Sequence, residues 1–470
     1  MQVANDTLPQ VSWIIAPTAL SEHATNHPGD GEDLSHRLIN VLADPANADV
    51  YAKTAFILNY DEGGQFFDHH WPPTPPVSAA DGASTVTTVG ELTLKEQFNQ
   101  PPGSPIGLGF RVPFFIISPW TRGPVTFSEV ADHTSVIQFI EERFGVHCPN
   151  ISPWRRAVTS NLLAAFDFDH PDYSWPDNMP YTGDNVNQSK AECANLPAPT
   201  LPKTQSLASQ EPGVRIARAL PYKFLIHDSV ASDGSITINM TNAGTAGAVF
   251  YVFNFMAPMA PPRKYTVEAG KYLTGTWAPI AGKYNLSLHG PDGFVRAFSG
   301  GATAAASPVR VALRYLETRG AVGLLGEAAM RCTMAVEDNA YGHEMESLEV
   351  SVRTNPTGNA LDEAGGSVGL VRSVAGSGNW YDLTVTALDC GVEFTRRFMG
   401  KMETGKDTTT DPAMAVPPSA ASLKQNHPDV PDSHRFVERW QPEKHCASRR
   451  SRHKDECWGF GAEKPEHYEL

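Results

Sequence analysis

The chain has 470 residues, of which 41% are hydrophobic, and a formal net charge of -15 at neutral pH. A chain of this length and composition can bury one large core or several smaller ones, so it is typical of a globular protein. The acidic charge argues against a nucleic-acid surface, because phosphate binding relies on clustered lysine and arginine. Small substrates and substrates derived from a membrane remain open.

Hydropathy and cysteine usage narrow the class only a little. No run of eighteen or more apolar residues is present, and the first ten residues lack the basic and apolar regions of a secretory signal peptide. The sequence therefore predicts neither a membrane span nor an export signal in this chain. The cysteines form no CxxC pair and indicate neither a zinc site nor a compartment; they are Cys148, Cys193, Cys332, Cys390, Cys446 and Cys457.

Residues 11 to about 170 alternate short apolar runs with helical patterns. The runs at 11–17 (VSWIIAP) and 54–60 (TAFILNY) resemble strands of a parallel sheet that is covered on both faces. The order strand, helix, strand predicts a βαβ unit. Its helix is indicated by apolar residues at helical spacing, namely Leu34, Leu38, Ile39 and Leu42.

A third apolar run covers 110–119 (FRVPFFIISP), and a further helix is predicted to begin near Asp132 or Thr134. The segment is therefore predicted to be α/β, with a layered sheet of parallel strands. The inward face of the second helix is predicted to carry Val136, Ile137, Phe139 and Ile140.

The composition changes beyond a proline-rich stretch. We predict residues 1–194 as the α/β domain and 195–216 as a linker. Short alternating strands follow the linker and indicate antiparallel β structure. The tail at 413–470 is polar and has no periodic apolar face, so it is predicted to be disordered. Possible zinc ligands in the tail match no common finger spacing; they are His445, Cys446, His453 and Cys457.

The β-rich part contains an internal repeat. Residues 282–300 and 378–400 share the pattern Phe-x-Arg-x-Phe-x-Gly. Two consecutive all-β sandwich modules, at 217–302 and 307–405, explain this pattern best, and chance similarity is the alternative. The equivalent residues are Phe294, Arg296, Phe298 and Gly300 in the first copy and Phe394, Arg396, Phe398 and Gly400 in the second. Phe298 and Phe398 are predicted to lie at equivalent buried positions, because alternate residues of a strand face one core.

Polar clusters follow the predicted strands of the α/β segment. The carboxyl ends of parallel strands meet at one edge of a sheet, where ligands bind. Adjacent carboxylates repel each other, and a cation is a common way to keep both ionised. Nearby histidines can bind a phosphoryl oxygen or protonate a leaving alkoxide, which indicates a metal-dependent hydrolase. The clusters are Ser21-Glu22-His23, Asp61-Glu62 with Asp68-His69-His70, and Asp132-His133-Thr134.

Each cluster also has a purely structural interpretation. Asp132 or Thr134 can cap a helix without any role for the histidine between them. His23 can be a solvated loop residue, and Asp61 and Glu62 can simply form a turn after a strand. The occurrence of the same chemistry after three predicted strands favours a shared site.

Several blocks of the sequence resemble a known family in the expected order. The family is the phosphocholine-preferring, bacterial-type phospholipase C family, in the phosphoesterase branch of the alkaline phosphatase-like superfamily. The resemblance covers about residues 3 to 412, and it includes KYTVEAGK and WYDLTVT in the β-rich part. The blocks in the first part are LPQVSWIIAPTALSEH, TAFILNYDEGGQFFDH, GLGFRVPFFIISPWTRG, VADHTSVIQFIEERFGV and ISPWRRAVTSNLLAAFDF.

The resemblance implies roles for particular residues. Asp61 and Glu62 match the family's metal-binding acidic pair, so a divalent cation is the implied cofactor. His23, His69 and His133 match polar residues around the metal or the phosphoryl group, without a separate role for each. His70, by contrast, has no such match. The implied substrates are phosphatidylcholine and sphingomyelin, and peripheral contact with a membrane surface and secretion are also implied.

The resemblance also shows a departure. Family members carry an acidic-Asn metal motif and a hydroxyl nucleophile ahead of the blocks found here, and the sequence has no counterpart of either. Covalent phosphoryl transfer needs both, so this chain alone is expected to hydrolyse phosphocholine esters poorly or not at all. Two other functions stay open, a non-catalytic protein that binds lipid head groups or a partner, and a phosphatase that acts on monoesters.

Overall fold

The structure is a computed structural model that describes residues 3, 5 and 7–414, except 65, 67, 97–99, 178, 198–199, 202, 204–212, 302–308, 329–331 and 353–368. The predicted tail, with its possible zinc ligands, lies outside the described residues apart from 413 and 414. In the described part, the α-helices are α1 Pro28–Ala43, α2 Ala48–Tyr51, α3 His133–Phe144, α4 Pro153–Val158 and α5 Gly183–Asn195.

The strands of the described part outnumber its helices. They are β1 Phe56–Asn59, β2 Gly82–Ser84, β3 Phe114–Ile117, β4 Val125–Thr126, β5 Ile216–Ala217, β6 Phe224–Val230, β7 Ile236–Asn242, β8 Ala248–Asn254, β9 Arg263–Val267, β10 Tyr272–Trp277, β11 Lys283–His289, β12 Val295–Gly301, β13 Arg310–Leu316, β14 Ala321–Ala328, β15 Thr333–Asp338, β16 Glu346–Glu349, β17 Ser351–Val352, β18 Leu370–Ser373, β19 Trp380–Ala387, β20 Phe394–Lys401 and β21 Thr408–Thr409. The coarse prediction of a mixed α/β chain is confirmed.

The predicted strand at 11–17 is wrong. Residues 11–17 form no strand in the structure, and Trp13, Ile14 and Ile15 are exposed. A strand needs a neighbour that satisfies its backbone N–H and C=O groups, and no described strand pairs with this run. The predicted βαβ unit is therefore not formed, although its helix is present as α1.

The predicted parallel arrangement is also wrong for the two remaining strands. β1 and β3 pair antiparallel, with Asn59 opposite Phe114. A parallel pair needs a crossover that returns the chain to the far end of the sheet. Here the connection leaves β1 and enters β3 at the same end, and its described residues contain no helix. The loops after β1 and before β3 therefore meet.

The predicted helix after the third apolar run is confirmed as α3. Asp132 is its N-cap, and the Thr134 backbone N–H donates to Asp132 Oδ1 at 2.9 Å. The Ser135 hydroxyl accepts from the Asp132 backbone N–H at 3.0 Å, which completes a capping box. Ile137, predicted to face inward, is not part of the core below. The core beneath α3 contains Val136, Phe139, Ile140, Leu162, Phe166, Ile57 and Phe114 among others.

A long antiparallel sheet runs through the β-rich part. In the described residues its order is β16-β15-β19-β20-β12-β11-β8-β9-β2. We call β6 to β12 the first β module and β13 to β20 the second β module. Each module has its own apolar core, to which a second sheet contributes, β10-β7-β6 in the first and β13-β14-β18 in the second. Phe298 and Phe398 are buried in the first and second core, respectively, as predicted.

The α/β segment contributes strands to the β-rich part. β2 pairs in parallel with β9, and β4 pairs in parallel with β5. The Trp154 indole N–H also donates to the Thr266 hydroxyl of β9 at 2.9 Å. The predicted domain limits stay predictions, as do the sandwich architecture and the alkaline phosphatase-like arrangement.

The repeated motif lies on two neighbouring strands, β12 and β20. They pair antiparallel, so that Arg296 lies opposite Phe398 and Phe298 lies opposite Arg396. The final glycine of the motif has a steric reason, because a Cβ on Gly300 would lie 2.6 Å from the hydroxyl oxygen of Tyr284. The motif therefore marks the seam at which the two modules join.

The arginine of the first module is held by the second. Arg296 donates to the Tyr381 hydroxyl and to the Met399 carbonyl, both at 2.8 Å. Its guanidinium carbon lies 4.1 Å from the ring centroid of Phe294, within the range of a cation–π contact.

The arginine of the second module is held by the first in the same way. Arg396 donates to the Tyr284 hydroxyl and to the Ser299 carbonyl, both at 3.1 Å. Its guanidinium carbon lies 4.0 Å from the ring centroid of Phe394. Asp228 adds an ion pair at 3.0 and 2.5 Å, for which Arg296 has no carboxylate counterpart among the described residues.

The described residues form two compact units. The larger takes in the described residues of Met1–Ser12, Leu38–Met179 and Leu207–Leu423, and the smaller those of Trp13–Arg37, Pro180–Ser206 and Lys424–Leu470. Within the smaller unit, the Lys190 ammonium on α5 lies 2.9 Å from Asp30 Oδ1 on α1. Among the helices that the structure describes, none is long and apolar enough to cross a bilayer.

Candidate phosphoryl-transfer site

The acidic pair lies just beyond the end of β1. Asp61 and Glu62 are both exposed, and the Glu62 backbone N–H donates to Asp61 Oδ1 at 3.0 Å. Within the described part of the chain, no ion pair involves either carboxylate. Two adjacent anions without a cationic partner are suited to a divalent cation.

His133 is the histidine that the structure places beside this pair. Its Nε2 lies 3.0 Å from the backbone carbonyl oxygen of Tyr60, the residue before Asp61. A carbonyl oxygen only accepts, so Nε2 carries a proton in this contact, and Nδ1 is left with a lone pair when the ring is neutral. The ring is thereby oriented for ligation or proton transfer through Nδ1.

Asp68 lies at the same end of the β1–β3 ladder but has a different environment. Arg111, three residues before β3, donates to Asp68 from its backbone N–H, its Nε and a terminal nitrogen at 3.0, 2.9 and 2.7 Å. These bonds hold the pKa of Asp68 well below its usual range. The exposed His69 ring has its Nδ1 3.9 Å from Asp68 Oδ1. Asp68 therefore fastens the loop that carries His69.

A second arginine fixes the N-terminus of α3. Arg155 donates to both oxygens of Glu91, at 3.0 and 2.6 Å, and also to Asp132 Oδ2. Glu91 is only 2% exposed, so this bidentate pair is well shielded from water. Since Asp132 caps α3, the pair sets the position of the helix that begins at His133.

His23 belongs to the smaller unit. Its Nδ1 lies 2.9 Å from the Thr25 hydroxyl, and its backbone carbonyl accepts from the Asn26 N–H at 2.7 Å. The structure therefore assigns His23 to an ordered turn. Its predicted place beside the acidic pair stays a prediction.

The sequence-based argument for a shared site assumed that the carboxyl ends of parallel strands meet, and this assumption is wrong for β1 and β3. Because β1 and β3 run antiparallel, the end of β3 lies beside the start of β1, and parallel strand ends therefore do not bring the clusters together. His133 reaches Tyr60 because α3 packs across both strands. Sequence reasoning missed Arg111, Arg155 and Glu91, since only contacts distant in the chain distinguish a buried ion pair from a solvated one.

One further group of ligand-type atoms lies in the second β module. Sulfur and carboxylate atoms of Cys332, Asp389 and Cys390 lie within 4.8 Å of one another. Cys332 and Cys390 form a disulfide, so their sulfurs are not available to a cation in this state. The sequence did not predict this pairing, because the two cysteines are 58 residues apart and fit no spacing pattern.

Two family models match separate parts of the chain. Residues 1–147, which hold the acidic pair and His133, match the phosphoesterase family. Residues 216–301, which contain β5 and the first β module, match the family described as the C-terminal domain of bacterial phospholipase C. These matches confirm the resemblance on which the sequence analysis drew.

Three similar proteins are all named phospholipase C. The chain is 38% identical over 428 residues to the non-hemolytic phospholipase C of Pseudomonas aeruginosa, covering 88% of this chain and 60% of that protein. It is 38% identical to the non-hemolytic phospholipase C of Burkholderia pseudomallei and 36% identical to the hemolytic phospholipase C of Pseudomonas aeruginosa, each covering 88% of this chain and 58% of the relative. The chain thus spans about 60% of the length of these relatives.

Proposed function

We propose that this chain contributes the acidic pair, a histidine and the β modules of a phospholipase C-type phosphodiesterase. The observation that carries the proposal is the contact of His133 with the Tyr60 carbonyl, which sets an imidazole beside Asp61 and Glu62 in the phosphoesterase segment. The proposed reaction is hydrolysis of phosphatidylcholine or sphingomyelin on the glycerol or ceramide side of the phosphate, with release of phosphocholine. No nucleic acid is involved, given the net charge of -15.

The donor set at the end of β1 fits a divalent cation. Asp61 and Glu62 offer exposed carboxylate oxygens, whereas the carboxylates of Asp68 and Asp132 are taken up by arginines. A cation bound there would neutralise charge on the phosphoryl oxygens. The environment of the metal or the phosphoryl group would also include His69.

His133 is proposed as a proton carrier. Its protonated Nδ1 would give its proton to the alkoxide oxygen of the glycerol or ceramide as the bond between phosphorus and that oxygen breaks. The phosphocholine group would pass to the hydroxyl nucleophile, whose proton would leave to water, and attack of a water molecule on the phosphorus would then release phosphocholine. The resemblance places that nucleophile in the part of the family that this chain does not match.

The architecture that goes with this function is a partial alkaline phosphatase-like domain at 1–194 and two β-sandwich modules at 217–302 and 307–405. Support for two modules comes from their separate apolar cores. An extracellular location is proposed as well. The buried Cys332–Cys390 disulfide supports it, because disulfides persist mainly in oxidising compartments.

The test compares two proteins. One is the 470-residue chain, and the other joins it to the region of the Pseudomonas aeruginosa non-hemolytic enzyme that it does not match. We expect chelator-sensitive release of phosphocholine from phosphatidylcholine by the joined protein and little by the chain alone. In the joined protein, Asp61→Asn should lower turnover at least about tenfold, since even outer-sphere changes weaken metal sites about 10–100-fold. Asp49→Asn, an exposed carboxylate on α2, is the matched control.

Each alternative has its own outcome in this assay. Strong chelator-sensitive turnover by the chain alone would mean that the nucleophile lies within it. Turnover of soluble phosphomonoesters without diester cleavage would show that the activity is that of a phosphatase and not of a phospholipase. Absence of turnover by the joined protein, with retained binding to lipid, would favour a non-catalytic binding protein.

A further inference from the structure

The first β module presents an apolar loop between β8 and β9. Residues 255–262 read FMAPMAPP and contain no ionisable side chain. Phe255 is 47% exposed and Met259 is 78% exposed. Large apolar side chains that protrude together from a soluble protein usually mark a surface that binds something apolar.

This loop has a defined conformation. The Ala257 N–H donates to the Asn254 carbonyl at 3.0 Å, and the Ala260 N–H donates to the Ala257 carbonyl at 2.9 Å, so two turns follow one another. Three prolines restrict the backbone further. The protruding side chains are therefore carried by an ordered backbone, which lowers the entropy cost of binding.

A second loop lies at the same end of the module. The Phe255 N–H donates to the Asn285 carbonyl on β11 at 2.9 Å, which brings 255–262 next to the β10–β11 connection. Ile280 in that connection is 40% exposed. We call residues 255–262 together with Ile280 the apolar tip.

The cations closest in sequence to the apolar tip already have partners. Lys283 lies 3.0 Å from a Glu393 carboxylate oxygen, and Lys264 lies 3.2 Å from Asp81 Oδ2. The Arg263 guanidinium lies over the Trp277 ring at 5.1 Å. The surface therefore suits a neutral or zwitterionic partner better than an anionic one.

An aromatic contact joins the strand before the apolar tip to the loop that carries His69. The Trp71 ring, two residues after His69, lies 5.7 Å from the ring of Phe253 on β8. Phe255 follows two residues later, roughly 7 Å along an extended chain. The loop that carries His69 therefore packs against β8, and the apolar tip begins where β8 ends.

We propose that the apolar tip docks on the surface of a zwitterionic phospholipid bilayer. The inference rests on the proposed function and deepens it, because it names the residues that contact the lipid. An uncharged loop with protruding Phe and Met side chains suits the boundary between head groups and acyl chains. Docking there would bring the lipid head groups to the side of the module on which Trp71 packs.

The second module offers an internal control. Its β15–β16 connection, residues 339–345, contains His343 and Glu344 beside the exposed Met345. A single exposed methionine among charged and polar residues does not form an apolar surface. Met345→Ser is therefore a matched control for substitutions in the apolar tip.

The test is sedimentation of the 470-residue chain with phosphatidylcholine vesicles. Phe255→Ser combined with Met259→Ser should lower the partition coefficient at least about tenfold, because each side chain loses apolar area that the bilayer would bury. Met345→Ser should leave it within about twofold, and unchanged thermal unfolding confirms that the variants are folded. Wild-type chain that does not sediment with these vesicles, or a double variant that sediments equally well, overturns the proposal.

Further outcomes separate docking from catalysis and from other occupants. Binding without turnover in the joined protein retains the docking surface and removes the phospholipase function. Turnover of a soluble phosphocholine ester, with vesicle binding insensitive to the double variant, retains the function and removes the docking surface. A wild-type dimer that the double variant converts to a monomer, seen by sedimentation velocity, would assign the apolar tip to a second copy of this chain and overturn bilayer docking.

Discussion

The seam between the two β modules and the end of the β1–β3 ladder treat charge in opposite ways. At the seam, Arg396 is 1% exposed and is paired with Asp228, with tyrosine hydroxyls and with backbone carbonyls. At the ladder end, Asp61 and Glu62 are exposed and form no ion pair among the described residues. Paired, buried charges hold the fold together, whereas the unpaired ones are available for a cation. Substitutions at the two places should therefore differ most in their effect on stability.

The largest loss of stability is expected at Arg396. Arg396→Ala leaves the Asp228 carboxylate buried without a cation, which costs about 3–5 kcal/mol in comparable cases. Arg296→Ala should cost less, about 1–2 kcal/mol, because the Tyr315 and Tyr381 hydroxyls it leaves already lie 3.0 Å apart and can bond to each other. Equilibrium unfolding in urea measures both.

Asp228→Ala combined with Arg396→Ala is the control for this explanation. It should recover part of the loss caused by Arg396→Ala, because no buried charge remains. Equal losses for the two single arginine variants would contradict the assigned difference between the two halves of the seam.

The second β module contains a disulfide, and the described residues of the first do not. Cys332→Ser should lower the free energy of unfolding by about 2–4 kcal/mol, because the bond closes a long loop of the unfolded chain. Hydrogen exchange should show the loss in the second module, since the first has no disulfide among its described residues. Cys193→Ser, at an exposed position outside the disulfide, is the control. Loss of protection spread equally over both modules would show that they unfold together.

Asp292, in the turn between β11 and β12, provides a pH-dependent test of stability. Burial raises its pKa to about 6, nearby Lys401 opposes this, and Glu403 and Asp411 add to it. The folded chain therefore holds the proton more tightly than the unfolded chain. Stability from this group is complete below about pH 4 and is lost as the pH rises through about 6.

Asp292→Asn removes this dependence. The variant should be more stable than the wild type above about pH 6, by roughly 1–3 kcal/mol, because one pKa unit corresponds to about 1.4 kcal/mol. The difference should shrink toward pH 4. Thermal unfolding at several pH values tests it, and a constant difference between pH 4 and 8 would exclude Asp292 as the titrating group.

The smallest effect on stability is expected at the acidic pair. Asp61→Asn should change the free energy of unfolding by less than about 0.5 kcal/mol, because the side chain is exposed and forms no ion pair among the described residues. The same variant should weaken binding of a divalent cation to the joined protein, measured by calorimetry. A large loss of stability with unchanged metal binding would show that Asp61 stabilises the fold and does not bind the cation.

Local chemistry in the sequence predicted several features correctly. Asp132 caps α3 because an aspartate before a helix accepts the free N–H groups of its first turn. Phe298 and Phe398 are buried because alternate residues of a strand face one side. The helix α1 and the resemblance to the phosphoesterase and bacterial phospholipase C families were also read from sequence. Each of these depends on neighbours in the chain.

Other features were decided only by the tertiary structure. The sequence could not show that β1 and β3 pair antiparallel, since apolar runs look alike in either direction. It could not show that each seam arginine is bonded by the opposite module, or that Cys332 pairs with Cys390, because these partners are far apart in the chain. The same holds for His133, which reaches the Tyr60 carbonyl through the packing of α3. A sequence determines which groups are present and how they alternate, whereas their contacts depend on long-range packing.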